Sequence, residues 1–400
     1  MRKLRFGRLL PAVLLAVLGT LAYTASNEEC TTAVISGAAT ADGKPILWKN
    51  RDTNSLSNKV VFVNEKPFSY LAVVNAKDTS GRTVWSGLNA AGFAIENSAS
   101  YNLPEKADET KGHEGIIMAD ALRTCETVDD FEAFIQKNLS PSLGSHANYG
   151  VIDAHGGAAS FEVSNEGYKR YNAGDAAEPF ILKTNFSVSG TADKGAGYIR
   201  FDRETALFKT VPPGKLDFNF ILRAARDLRN PYEHTPAPEE WKNLAADSPY
   251  WVHSNYTINR VLTASVMIVH GAGKGENPQR ATMWVILGEP VTSIAVPLWV
   301  AAGETPAEVR EGKDAPITRE ADRLKAILRP LKGSDRHEYL DLTKLDNRAG
   351  TGWLPGNLKV ENEILDATKK FLEGTPSPAE MAAFEREMAA KALARLQAIK

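Results

Sequence analysis

The feature that most constrains the fold is how the apolar residues are grouped: short segments of strand character, divided by tight turns, in runs that helical stretches interrupt. Thr31 to Ser36 leads into the turn Ala41-Asp42-Gly43-Lys44-Pro45 and then Ile46-Leu47-Trp48, the signature of a β-hairpin. Lys59 to Val63, Tyr70 to Val74 and Thr83 to Ser86 continue the pattern. Gly115 to Cys125 and Val128 to Lys137 carry apolar residues at helical spacing, the second opened by Thr127 with Asp129 and Asp130 in its first turn. Strands resume at Asn148 to Asp153, Ala158 to Val163 and Phe180 to Lys183. A helical stretch around Phe218 to Leu228 precedes three more: Ala264 to Val269, Thr282 to Leu287 and Ser293 to Leu298. From Thr318 the tail is helical and charged, and Met381 to Ile399 is rich in Ala, Glu, Lys and Arg. Hairpins in place of crossovers predict an α+β fold of stacked antiparallel sheets covered by helices and disfavour a parallel doubly wound sheet.

With 400 residues, 43% of them hydrophobic and 24% charged, the chain can bury one sizeable core or two modest ones. A formal net charge of -2 with acids and bases interspersed gives no electrostatic footprint for nucleic acid or an anionic membrane. The seven histidines show no HExxH and no paired metal spacing. There is no G-x-S-x-G elbow, Walker A loop or dinucleotide fingerprint, so no metal or nucleotide cofactor is implied.

The N-terminus adds chemistry. A basic start (Arg2, Lys3, Arg5, Arg8) precedes an apolar run from Leu9 to Leu21, well short of the ~20 residues a membrane span needs, which reads as a secretory leader over residues 1–26. Ala22, Thr24, Ala25 and Ser26 offer cleavage positions, leaving the remnant Asn27-Glu28-Glu29 before Cys30. Its loss would make Cys30 the mature N-terminus. An N-terminal cysteine holds nucleophile and base on one residue, because its α-amine, with a pKa of ~7.7–8, can take the thiol proton. Asn27-Glu28-Glu29 is the wrong chemistry for lipidation, which wants small and aliphatic residues there. A disulfide with Cys125 stays open at this point, since an exported chain meets an oxidising compartment, although Cys125 sits at helical spacing like a small core residue.

Cys30-Thr-Thr-Ala-Val-Ile-Ser, followed in the next strand by Leu47-Trp-Lys-Asn-Arg-Asp52, resembles the opening of the choloylglycine hydrolase and penicillin V acylase superfamily of N-terminal-nucleophile (Ntn) hydrolases. In that family the exposed cysteine heads the first strand and a basic-Asn-x-Asp motif ends the second. Lys49 stands where the bile-salt enzymes usually have arginine. The segment from Gly87 to Asn97 is similar to the family's Asn-x-x-Gly-Leu hairpin, and Asn148 to Asp153 with Ser160 to Val163 to the strand pair before its catalytic asparagine. That asparagine maps to Asn185, and the family's late arginine to Arg200.

The resemblance implies a four-layer αββα sandwich, a catalytic domain over residues 30–315 and a helical extension over 316–400 packing on it. It implies catalytic roles for Cys30, Asp52, Asn185 and Arg200, and a substrate pocket with Lys49, Asn97 and Ser98. Asn185 would donate to the oxyanion, Asp52 would hold the α-amine or thiol, and Arg200 would bridge Asp52 and Cys30 or clamp a substrate carboxylate. Taken alone these residues have plainer readings: a turn asparagine, an exposed strand-end acid, a surface arginine beside Asp202 and Arg203, and hairpin residues. Asn185-Phe-Ser is also formally a glycosylation sequon, a modification incompatible with the proposed role. The expected protein is a secreted or periplasmic cysteine amidohydrolase acting on a small-molecule linear amide, with no nucleic acid partner, no stable membrane anchor, and self-association left open. An acyltransferase, or a secreted binding protein of the same fold, is the alternative.

Overall fold

The computed structural model describes residues 28–78, 80–105 and 111–400; the leader over 1–26 and Asn27 of the remnant lie outside the described residues. The chain opens with β1 (Glu29–Ile35) and β2 (Ile46–Asp52), continues through β3 (Asn58–Val63), β4 (Tyr70–Asn75), β5 (Val84–Asn89) and β6 (Ala94–Ala99), and turns into helices α1 (Glu114–Thr124) and α2 (Val128–Asn138). Then follow β7 (Ala147–Ile152), β8 (Ala158–Ser164), β9 (Gly167–Asn172), β10 (Phe180–Lys183), α3 (Tyr198–Phe208) and α4 (Phe218–Ala225). The remainder comprises β11 (Trp251–His253), β12 (Thr263–His270), β13 (Thr282–Leu287), β14 (Val296–Leu298), α5 (Ala307–Arg310), α6 (Pro316–Leu328), β15 (Tyr339–Asp341), α7 (Leu342–Leu345), α8 (Leu354–Leu372) and α9 (Pro378–Gln397).

Two antiparallel sheets face each other. One has the order β10-β1-β2-β12-β13-β14, the other the meander β3-β4-β5-β6-β7-β8-β9. β1 and β2 pack across β6, β7 and β8, while α1 covers β5 and β6 from outside and α3, α4, α6 and α9 cover the first sheet, so the layers run αββα. Every residue of β2 is buried because it lies centrally with a sheet on one face and helices on the other. Phe93, Phe131, Tyr149 and Phe161 fill the core beneath α1 and α2, with Phe131 and Phe161 edge-to-face at 5.2 Å. Thr127 caps α2 as predicted, in a capping box with Asp130.

The C-terminal helices join the main core: α9 packs on β14 and α6 on β13. Arg226, just past α4, forks onto Glu361 of α8 at 2.8 and 2.6 Å, a buried pair that ties the tail to the body.

The Gly87 to Asn97 segment forms the expected hairpin, turning within 90–93 with Glu96 and Asn97 inside strand β6. Two elements depart from the sequence pattern. β9 pairs with β8 as a mostly polar edge strand, which lacks the apolar alternation that marks a strand. α3 begins on Gly197 at φ 78, with no side-chain cap to announce it. A Cβ there would lie 2.8 Å from Arg200 Nη2 and from Thr184 Cβ, so the glycine serves both the left-handed backbone and the room for the arginine.

Candidate active site around Cys30

Strand register decides what surrounds Cys30. In the β1–β2 pair Cys30 lies opposite Arg51, Thr32 opposite Lys49 and Glu29 opposite Asp52. Directly paired residues point to the same face and neighbours alternate, so Cys30, Thr32, Lys49 and Arg51 face the space between the sheets, while Glu29, Thr31 and Asp52 face the helices. The register thus separates Asp52 from the thiol. Asp52 is fully buried, not an exposed strand-end acid.

On the helix side two guanidinium groups share two acids. Arg200 donates through Nη1 to the Cys30 carbonyl at 2.5 Å and to Thr31 Oγ1 at 2.9 Å. Through Nη2 it reaches Glu29 Oε2 at 2.6 Å and Asn185 Oδ1 at 2.8 Å, and it lies 4.0 Å from Asp52 Oδ2. At 2% exposure it is no surface arginine. Arg260 joins Glu29 at 2.8 Å and Asp52 at 3.3 Å. A β-bulge between Thr263 and Ser265 lets Thr263 pair with Asp52 and Ser265 with Arg51, so their hydroxyls aim at opposite faces. Thr263 donates to Asp52 Oδ1 at 2.7 Å, and Ser265 to Asn58 Oδ1 at 2.8 Å. Burial works against ionisation of both acids: Arg260 and Arg200 overcome it at Glu29, whose carboxyl falls below its ordinary range, whereas Asp52 is pushed up. Loss of Glu29 would release both cations to Asp52.

Asn185 lies two residues past the end of β10, where it bridges to Ala196, and is fully buried. Its Oδ1 accepts the Cys30 backbone N–H at 3.0 Å, and its Nδ2 donates to Ala99 O at 3.0 Å and to Glu28 O at 3.4 Å. The Tyr101 hydroxyl donates to the same Glu28 oxygen at 2.5 Å. Two donors therefore converge on a carbonyl of the remnant.

Between the sheets Lys49 donates to Asn97 Oδ1 at 2.7 Å and to Trp85 O at 2.8 Å. Glu96 beside it is buried, and burial lifts its carboxyl to about 8 against the pull of Lys49. Gly150 pairs with Glu96, and a Cβ on it would lie 2.2 Å from Glu96 Oε1, so only glycine leaves room for this acid. Burial raises the Cys30 thiol to about 11, with Lys49 pulling it down and Glu28, Asp52 and Glu96 pushing it further up. The thiol is therefore protonated at neutral pH while the remnant is in place.

Ser98 donates to Thr184 O at 2.6 Å and accepts from Asn148 Nδ2 at 3.0 Å, tying β6 to the chain beside Asn185. Both cysteines are free: Cys125 belongs to the core under α1 and α2, while Cys30 lies between the sheets. Arg260, Tyr101, Glu29 and Glu96 join the site without having been singled out in the sequence. Among the described residues no group of three or more His, Cys, Asp or Glu could hold a metal ion, and no helix is long and apolar enough to cross a membrane.

No family model and no curated protein matches the chain. Among solved structures, the Caenorhabditis elegans ortholog of N-acylethanolamine-hydrolyzing acid amidase aligns over 60% of this chain and 92% of its own, at 16% identity and a TM-score of 0.42. Penicillin V acylase from Agrobacterium tumefaciens aligns over 68% and 86%, at 13% identity and 0.40. A variant of conjugated bile acid hydrolase from Clostridium perfringens aligns over 64% and 89%, at 11% identity and 0.38. Likeness at this level carries no chemistry over to this chain.

Proposed function

We propose that the chain is the precursor of an exported cysteine N-terminal-nucleophile amidohydrolase that cleaves a linear amide C–N bond through an acyl-cysteine. The observation that carries this reading is the grip on the Cys30 peptide: Asn185 holds its N–H, Arg200 its carbonyl, and Asn185 with Tyr101 the Glu28 carbonyl upstream. These groups, with Asn185 and Arg200 buried, flank the bond that must break and hold the nitrogen that it frees.

In maturation the Cys30 sulfur attacks the Glu29 carbonyl carbon and the Glu29–Cys30 C–N bond breaks. The nitrogen takes up the thiol proton, and a thioester joins Glu29 to the sulfur. Water then hydrolyses the thioester, releasing the Glu29 carboxylate and leaving a free thiol and a free α-amine. In turnover the α-amine takes the thiol proton as the sulfur attacks a substrate amide, and returns it to the leaving amine. A water deprotonated by the same amine hydrolyses the acyl-cysteine. Asn185 Nδ2 and the Tyr101 hydroxyl hold the Glu28 carbonyl in the precursor, one residue upstream of the scissile one; its departure frees them as the donors that a substrate's developing oxyanion can meet. Once Glu29 has left, Asp52 faces Arg200 and Arg260 alone, one carboxylate against two cations beside the new amine.

The test is a pair of substitutions assayed on a panel of N-acyl amides. Cys30→Ala abolishes hydrolysis and leaves the fold intact, while Cys125→Ala keeps most activity; full activity in the Cys30 variant removes the mechanism.

A further inference from the structure

Arg51 is a buried cation beside Cys30 that the steps above leave idle. It is 1% exposed. Its Nη1 donates to Asn75 Oδ1 at 2.7 Å and Asn58 Oδ1 at 3.1 Å, and its guanidinium lies 4.1 Å over the Trp85 ring. Its Nη2 donates to Glu28 Oε1 at 2.8 Å, the oxygen that Thr53 Oγ1 also reaches at 3.1 Å. Its Nε is buried with no partner. Glu28 is the acid paired with it among the described residues.

Maturation at Cys30 takes Glu28 away. What stays is a buried guanidinium against two amide oxygens and a ring face. Arginine cannot shed its charge by deprotonation, and a buried unpaired charge is costly. The vacancy is shaped for one ligand class, because a carboxylate oxygen already sits between Arg51 Nη2 and the Thr53 hydroxyl. Its position is also informative. Glu28 belongs to the acyl side of the bond that maturation cleaves, and Arg51 lies opposite Cys30 in the strand register.

We propose that Arg51, Thr53 and Trp85 form a carboxylate subsite on the acyl side of the substrate, and that Glu28 is its internal placeholder before maturation. This rests on the amidohydrolase reading above and narrows its substrate class to amides whose acyl group carries a distal carboxylate. Roughly seven bonds separate the Glu29 carbonyl carbon from the Glu28 carboxyl carbon, the span of a suberoyl chain.

The test separates binding from turnover. Suberate is titrated by calorimetry into the matured protein, into Cys30→Ala, which keeps the remnant, and into the full chain carrying Cys30→Ala with Glu28→Ala. The matured protein and the double variant bind; Cys30→Ala does not. Adding Arg51→Met to the double variant weakens binding at least tenfold, and adding Thr53→Val weakens it several-fold without disturbing the arginine's packing. In turnover the matured protein favours the 4-nitroanilide of suberic acid over that of octanoic acid at least tenfold in kcat/KM, a ratio that shrinks in Thr53→Val. A double variant that binds no suberate, or binding that neither Arg51→Met nor Thr53→Val changes, overturns the subsite. Suberate binding as described with neither anilide cleaved supports the subsite and removes the amidohydrolase reading. Cleavage of the octanoyl anilide with no suberate binding does the reverse.

Discussion

The backbone N–H of Cys30 donates to Asn185 Oδ1 at 3.0 Å, joining residues 155 positions apart in the chain. That bond orients the Asn185 amide, because with Oδ1 filled by Cys30 and Arg200 only Nδ2 is left to face carbonyl oxygens. One side chain thereby positions the backbone nitrogen of Cys30 and presents a donor upstream of it.

An oxyanion donor acts mainly in the transition state. Asn185→Ala should therefore lower kcat by about 10²–10³ with little change in KM. Steady-state kinetics decide the matter together with a melting curve: unchanged turnover and a lowered Tm would make Asn185 a structural residue.

Tyr101 shares the Glu28 oxygen with Asn185 and is 44% exposed. Tyr101→Phe removes the hydroxyl and leaves the ring, so it should slow both maturation and turnover, kcat falling by about tenfold or more, while the melting temperature stays put. Time-resolved mass spectra of the maturing chain follow the first effect and kinetics the second.

Glu96 makes stability depend on pH in a definite direction. Its folded pKa, about 8, lies above the ordinary 4.5, so the folded state binds the proton more tightly. The stabilisation this gives is whole below about pH 4.5 and is lost as pH rises through about 8. Glu96→Gln keeps the shape without the titration. Denaturant midpoints of the two proteins should shift in the variant's favour as pH rises from about 4.5 to 8; a constant difference across that window would show that Glu96 does not titrate there.

The Arg226–Glu361 fork links α8 to the chain behind α4. Glu361→Ala strands a buried guanidinium and should cost about 3–5 kcal/mol in chemical denaturation. A loss below about 1 kcal/mol would mean that the C-terminal helices pack without it.

The sheets were legible because their strands are apolar, turn-bounded and joined by hairpins, and α2 because its cap is written in Thr127 and Asp130. α3 was not, since its start depends on Gly197 in a left-handed conformation and its first turn mixes Tyr198, Ile199 and Arg200. Cys30, Asp52, Asn185 and Arg200 could be picked out as motif residues and do lie together. Arg260 could not, because its approach to Asp52 comes from a loop set by the bulge at Thr263. Glu96 was hidden for a related reason: what marks it is Gly150 directly opposite, a pairing that only the folded sheet reveals. The face on which each side chain lands depends on register, and register puts Asp52 on the face away from the thiol, which leaves the α-amine of the two groups that it was expected to hold.

On the proposed reading, Cys30 becomes the N-terminus of the active protein. Intact-mass and N-terminal analysis of purified protein, made on a preparation shown to hydrolyse an amide, tests it most directly. The expected result is a polypeptide that begins at Cys30 with a free α-amine. A fully active preparation that still carries Glu29 would contradict it.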